Sequence, residues 1–266
     1  MRPLERMDQV QISTFKVIIG SLLVALTQGI IKKHKSYLLG EDLHLNLDQS
    51  TIPDFIRAAM VLGLLERAER KLVRRYIPAG LPCIEIGSSF GNVTLEIIRA
   101  IGKKTPILSI EANPVLSAWL REQVVNSNRP NHRVMNAAAT QYDTENVLFC
   151  IDAGGLGSRI SRDHSPEDVS LQGFSLGKII EIAGFQRFSL VCDIEGAEFD
   201  FFCNSRNLLS KCDALVIELH PVSGPKARTF IAEIESAGLK LIEKRREVCA
   251  FIRKADPSDS LDLNET

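Results

Sequence analysis

The sequence predicts an α/β fold: a mostly parallel seven-stranded sheet with a C-terminal antiparallel hairpin, preceded by a helical N-terminal region. Three observations predict it. From residue 80 onward, short apolar runs of strand length alternate with amphipathic segments of helix length, the pattern of a parallel sheet covered on both faces. The last two runs, 239–243 and 248–253, are separated only by Lys244-Arg245-Arg246-Glu247, so they form a hairpin and the final strand runs antiparallel to its neighbour. Residues 53–75, by contrast, carry apolar residues at helical spacing and end in the basic run Arg70, Lys71, Arg74, Arg75.

Taken in order, residues 17–31 form the most apolar stretch, with Lys16 before it and Lys32, Lys33 and Lys35 after it. A spanning helix needs about 20 residues, so this 15-residue run predicts a buried helix, with peripheral membrane contact through residues 17–35 as the alternative. The strands expected next are 82–86, 107–111, 133–138, 147–151, 188–193 and 214–219. Helices are expected at 92–101, ending at Gly102; from Pro114, which suits a first helical turn; at 176–183, before Gly184; and at 225–237, before Gly238. The division that follows is a helical cap over 1–77, a sheet domain over 78–254 and a flexible tail over 255–266.

Composition narrows the function. The chain of 266 residues is 45% apolar and 24% charged, which suits an ordinary globular protein. Its formal charge of −1 hides +4 over residues 1–77 and −5 over 78–266, so the larger part offers no basic footprint for nucleic acid. Six cysteines without a CxxC pair, of which Cys83, Cys150, Cys192 and Cys249 sit in apolar runs, fit a reducing cytoplasm better than a disulfide scaffold or zinc site. His34, His44, His132 and His164 are scattered and look like surface or loop residues.

The sharpest local signal is Cys83-Ile84-Glu85-Ile86-Gly87-Ser88-Ser89-Phe90-Gly91, a buried strand running into a glycine turn and a helix. Gly87 permits the tight exit, and Gly91 lets the helix start pack closely. Ser89 stands where a dinucleotide fingerprint wants its third glycine, which disfavours a nicotinamide-dependent oxidoreductase. Glu111, 20 residues after Gly91 at the tip of the next strand, can accept both hydroxyls of a ribose. Glu85 offers charge-assisted hydrogen bonds to an ammonium group. S-adenosylmethionine carries both features. Further on, Asp193-Ile194-Glu195-Gly196-Ala197-Glu198 delivers three carboxylates at a strand end, and the next strand adds Glu218 and ends in His220. Like charges gathered at a buried strand end mark a functional site.

Over roughly residues 76–253 the chain resembles the FkbM-like methyltransferases. The resemblance rests on E-I-G-S-S-F-G at 85–91, I-E-A-N-P at 110–114, N-A-A-A at 136–139, D-I-E-G-A-E at 193–198 and I-E-L-H-P at 217–221. It implies the class I methyltransferase (Rossmann-like) sheet, S-adenosylmethionine as cofactor, and hydroxyl groups of sugars, glycans and other natural products as acceptors. It implies that Glu85, Gly87, Ser88 and Gly91 surround the methionine part, that Glu111, with Ala112 and Asn113 beside it, holds the ribose, and that Asn136 and Ala137 border the adenine. Asp193, Glu195 and His220 would then face the transferred methyl group. His220 is the favoured base and Asp193 the alternative, since histidine titrates near neutrality. A divalent ion on Asp193, Glu195, Glu198 and His220 is chemically compatible, though no spacing demands it. The chain departs from the family in carrying Val191 where Lys is common and Glu85 where Asp is common. The first departure keeps open an inactive, cofactor-binding scaffold. Acceptor specificity is expected from residues 1–75 and the loop at 152–173.

Overall fold

The computed structural model of the protein describes residues 36–38, 43–47, 52–152, 158–161, 165, 167–203, 205–220 and 225–253. The expectations for residues 17–35 and for the tail at 255–266 lie outside them. Among the described residues, no helix is long and apolar enough to cross a membrane.

The fold is built on a seven-stranded sheet of β3 (Cys83–Ile86), β4 (Ile107–Glu111), β5 (His132–Asn136), β10 (Phe188–Cys192), β11 (Cys212–Glu218), β12 (Leu239–Arg245) and β13 (Val248–Arg253). Their order across the sheet is β12-β13-β11-β10-β3-β4-β5. β5, β4, β3, β10 and β11 pair in parallel, and β13 inserts antiparallel between β11 and β12. The hairpin expectation holds. β3, β4 and β10 are buried along their whole length, as continuous apolar runs must be in a sheet covered on both sides. The chain order reverses between β3 and β10, so the carboxyl ends of these two strands open a crevice at the switch point.

The connecting helices start and stop where their sequence signals predict. α3 (Asn92–Ile101) ends at Gly102 with φ 93°, and α5 (Leu176–Ala183) at Gly184 with φ 71°. α4 (Pro114–Asn126) begins at Pro114 behind an Asn113 cap that accepts from the Val115 and Leu116 amides. α7 (Pro225–Ser236) crosses over between β11 and β12.

Four differences from the sequence expectation have physical causes. The apolar run expected at 147–151 is β7 (Thr144–Cys150), and it lies outside the central sheet. It joins β6 (Ala138–Ala139), β8 (Arg159–Ile160) and β9 (Val169–Phe174) in a four-stranded side sheet, ordered β6-β9-β7-β8. Its polar start, Thr144-Glu145-Asn146, is exposed, which suits a half-covered strand and not a fully buried one. Within the expected loop at 152–173, residues 159–160 and 169–173 are therefore strand. The single helix expected at 53–75 is two, α1 (Asp54–Val61) and α2 (Arg67–Tyr76), broken where Gly63 (φ 66°) and Glu66 (φ 49°) turn left-handed. The N-terminal region also holds a hairpin, β1 (Ser36–Leu38) with β2 (His44–Asn46), whose strands are too short to show a period. A short helix, α6 (Glu198–Phe202), follows the acidic turn.

The central sheet carries a core layer on each face, and a smaller apolar cluster of Ala138, Val147, Phe149 and Leu171 belongs to the side sheet. Leu45, Ile56, Met60, Leu72 and Val73 of the N-terminal region pack with Phe90, Trp119, Val191 and Val216 in one of the central sheet's layers. Polar contacts reinforce that docking: the Asn46 amide donates to Gln123 Oε1 (2.9 Å) on α4. The basic run of α2 is also explained. Glu96 of α3 is fully buried and accepts from Arg70 (2.8 Å) and twice from Arg74 (2.7 and 3.0 Å), while Arg75 and Tyr76 reach Glu243 on β12.

Candidate active site

The crevice at the switch point is a cleft enclosing about 690 Å³ of empty space, counted with the solvent that opens into it. Its floor is the exit of β3 at Gly87 and Ser89. One end is the tip of β4, Glu111 and Ala112, with Ala137, Ala138 and Ala139 beyond it. Phe149 and Ile160 of the side sheet, with Ser158 just before β8, form a wall, and Asp193, Ile194, Glu195 and Ala197 close the other end.

The glycine turn exists because two strand exits nearly touch. A Cβ on Gly87 would stand 1.7 Å from the Asp193 carbonyl oxygen, and its φ is 84°. The Ser89 amide then donates to Glu111 Oε2 (2.7 Å), and the Asn113 amide to Oε1 (2.8 Å). These backbone donors fix the carboxylate in the cleft wall with free lone pairs on both oxygens. Burial raises the Glu111 pKa against these hydrogen bonds. The Asn136 side chain braces the same tip by donating to the Glu111 and Ala112 carbonyls, both at 2.8 Å.

Gly87, Glu111, Ala112, Ala137, Asp193 and Glu195 thus line the cleft, and the other expected residues stand behind it. Asn113 caps α4. Gly91 faces Leu120 and Leu45 at the start of α3. Ser88 is buried with its hydroxyl unpartnered. Glu85 lies under the floor, its carboxylate accepting from Thr94 (2.8 Å) and from Ser109, whose hydroxyl meets His132 Nε2 at 2.8 Å. Burial pushes Glu85 up to about 7, against the hydrogen bonds from Ser109 and Thr94. His132 is no surface residue: it is buried in this network, and burial drives its pKa down to about 3.

The acidic turn after β10 brings together what the D-I-E-G-A-E spacing promised. Glu195 (φ 53°) and Gly196 (φ 99°) are both left-handed, a costly conformation for glutamate, and the turn aims Glu195 across the cleft end. His220, at the end of β11, stands between carboxylates: Nδ1 is 3.0 Å from Glu198 and 3.7 Å from Asp193, and Nε2 is 3.2 Å from Glu195. Burial alone would lower His220, but the Glu198 hydrogen bond and the charges of Asp193, Glu195 and Glu198 raise it to about 9. Burial, with Glu218 adding to it, holds Asp193 well above the usual carboxylate range.

The N-terminal region supplies carboxylates that sequence reading missed. Glu66 lines this cleft and a neighbouring one between α2 and the β12–β13 turn. Burial raises it to about 7. Glu69, one turn further along α2, is almost wholly buried. No local motif marks either residue; the break in the helical period at Leu62–Glu66 was the available signal.

A model of the FkbM methyltransferase domain matches residues 85–244. No curated protein matches the chain. Among solved structures, the FkbM methyltransferase of Methylobacillus flagellatus KT aligns at 15% identity with a TM-score of 0.46, covering 75% of this chain and 54% of that one. A protein of the NADB-Rossmann superfamily from Streptococcus agalactiae aligns at 9% identity and TM-score 0.41, covering 70% and 67%. A SAM-dependent methyltransferase from Aquifex aeolicus aligns at 11% and 0.38, covering 72% and 93%. The chain spans about half the length of the first of these.

Proposed function

Since the chain belongs to the FkbM methyltransferase family, we propose that it uses S-adenosylmethionine to methylate a hydroxyl of a sugar, glycan or other natural-product small molecule. The observation that carries the reading is the Glu111 carboxylate, fixed in the cleft wall by the Ser89 and Asn113 amides, facing a chamber that ends in Asp193 and Glu195. A ribose donates its two hydroxyls to Glu111. The adenine lies along Ala137–Ala139 against Phe149. The methionine part passes over Gly87 and Ser89 at the exit of β3. The acidic end of the cleft receives the sulfonium, whose positive charge matches Asp193 and Glu195.

Transfer is an in-line displacement: the acceptor oxygen forms a bond to the methyl carbon as the carbon–sulfur bond breaks, and S-adenosylhomocysteine leaves. The hydroxyl proton needs an acceptor. His220 fits that role less well than Asp193, because both ring nitrogens face carboxylates and act as donors to them. Asp193 lines the cleft, and its Oδ1 has no hydrogen-bond partner. We assign Asp193 as the proton acceptor and His220 as the residue that positions Asp193 and Glu195.

Radiolabelled methyl transfer over a panel of hydroxylated sugars and glycans tests this. Asp193→Asn is expected to lower kcat at saturating cofactor by 100-fold or more, the usual scale for a lost general base, beyond whatever affinity the cofactor loses with the charge beside its sulfonium. Cofactor binding without transfer to any hydroxyl, unaltered by Asp193→Asn, would instead favour the inactive scaffold that Val191 keeps open.

A further inference from the structure

We propose that Glu69, Asp193 and Glu218 form a binding site for one divalent metal ion of the hard, oxygen-preferring class, at the wall between the cofactor cleft and the cleft beside α2. These residues come from three elements, α2, the turn after β10 and the end of β11, and each offers a carboxylate oxygen within 4.8 Å of the others. Ligands about 2.4 Å from a shared ion, as around Ca²⁺, lie up to roughly that distance apart; Mn²⁺ and Mg²⁺ need a slight contraction. The donor set is oxygen alone, which excludes a soft-metal preference.

The second observation is Glu69 itself. It is 2% exposed, and its Oε2 is buried without a hydrogen-bond partner, on a side chain whose carboxylate belongs to the cluster. A carboxylate withdrawn from water and given no donor is costly unless a cation or a proton answers it. The other acidic group at this strand end, Asp193 with Glu195 and His220, already contains its cation, because the imidazole stands between Glu195 and Glu198. Among the described residues, neither Glu69 nor Glu218 forms a salt bridge. The lining of the neighbouring cleft includes Glu69 and Glu218 beside Arg67, Lys71, Arg245 and Arg246, so an ion here is reachable from a second opening.

The role of the ion rests on the methyltransferase reading. An acceptor hydroxyl approaching Asp193 would bind the ion through its oxygen and lose its proton more readily. Asp193 would take that proton as the oxygen–carbon bond forms and the carbon–sulfur bond breaks, with no electrons exchanged with another reagent.

The test is Mn²⁺ binding by the full chain after chelator treatment, followed by electron paramagnetic resonance and calorimetry, without cofactor. One saturable site is expected, and Glu69→Gln and Glu218→Gln should each weaken it tenfold or more while keeping a cooperative melt. No saturable Mn²⁺ binding up to millimolar concentration overturns the proposal, as does wild-type affinity in either variant. If Glu69→Gln fails to fold, the half-buried Glu218→Gln decides. S-adenosylmethionine binding is measured separately on the same samples: its absence beside intact Mn²⁺ binding removes the methyltransferase role and leaves the ion site standing.

Discussion

At the scale of single residues, the network under the cleft gives a prediction free of any ligand. Glu85 titrates near 7 in the folded protein against an ordinary 4.5, so folding favours its protonated form, and its contribution to stability falls as pH rises from about 4.5 to 7. His132 moves the opposite way. Its pKa falls from 6.5 to about 3, so the folded state disfavours the charged ring and stability is lost as pH falls through that window. The two slopes oppose each other between about pH 4.5 and 6.5. Glu85→Gln removes only the first, so the stability of the variant relative to wild type should grow by on the order of 3 kcal/mol between pH 4.5 and 7. Urea denaturation across that range measures it, and parallel profiles would contradict the assignment. The sequence placed Glu85 beside the cofactor because it immediately precedes the glycine turn. It could not show which face of β3 the side chain takes, and Thr94, Ser109 and His132, which decide that, carry no motif.

At the scale of elements, the docking of α2 on α3 is the contact most exposed to a single change. Glu96 has no exposed surface and Arg70 almost none. Removing one partner of a buried ion pair leaves the other uncompensated, typically at about 3–5 kcal/mol. Glu96→Gln should therefore lower the unfolding free energy by about that much, while the double variant Glu96→Leu with Arg70→Met recovers most of it. A Glu96→Gln midpoint within error of wild type would show that α2 is held by its apolar face alone. The basic run was legible in sequence but its partners were not, since Glu96 lies 26 and 22 residues from Arg70 and Arg74. The side sheet was equally hidden. β7 has the length and apolar content of a central strand, and only its exposed polar start distinguishes it. β1 and β2, at three residues each, fall below any period.

At the scale of the whole molecule, the charge asymmetry acquires a structure. Part of the basic N-terminal excess meets Glu96 and Glu243 of the acidic remainder, and Glu66 and Glu69 carry acid back into the site. The mostly parallel central sheet, its antiparallel final strand and the convergence of Gly87, Glu111 and Asp193 were legible because each rests on a local signal: an apolar run, a glycine turn or an acid at a strand tip. The contribution of α2 to the site was not, because it depends on packing between segments far apart in the chain. The claim on which the functional reading rests is that the cleft holds S-adenosylmethionine with its ribose on Glu111. Calorimetric titration of the purified protein with S-adenosylmethionine and S-adenosylhomocysteine tests it most directly. One site per chain is predicted, and Glu111→Ala should weaken binding at least 100-fold, because two hydrogen bonds to a charged acceptor are worth about 1.5–3 kcal/mol each. Absence of binding in the wild-type protein, or equal affinity in Glu111→Ala, would contradict the account.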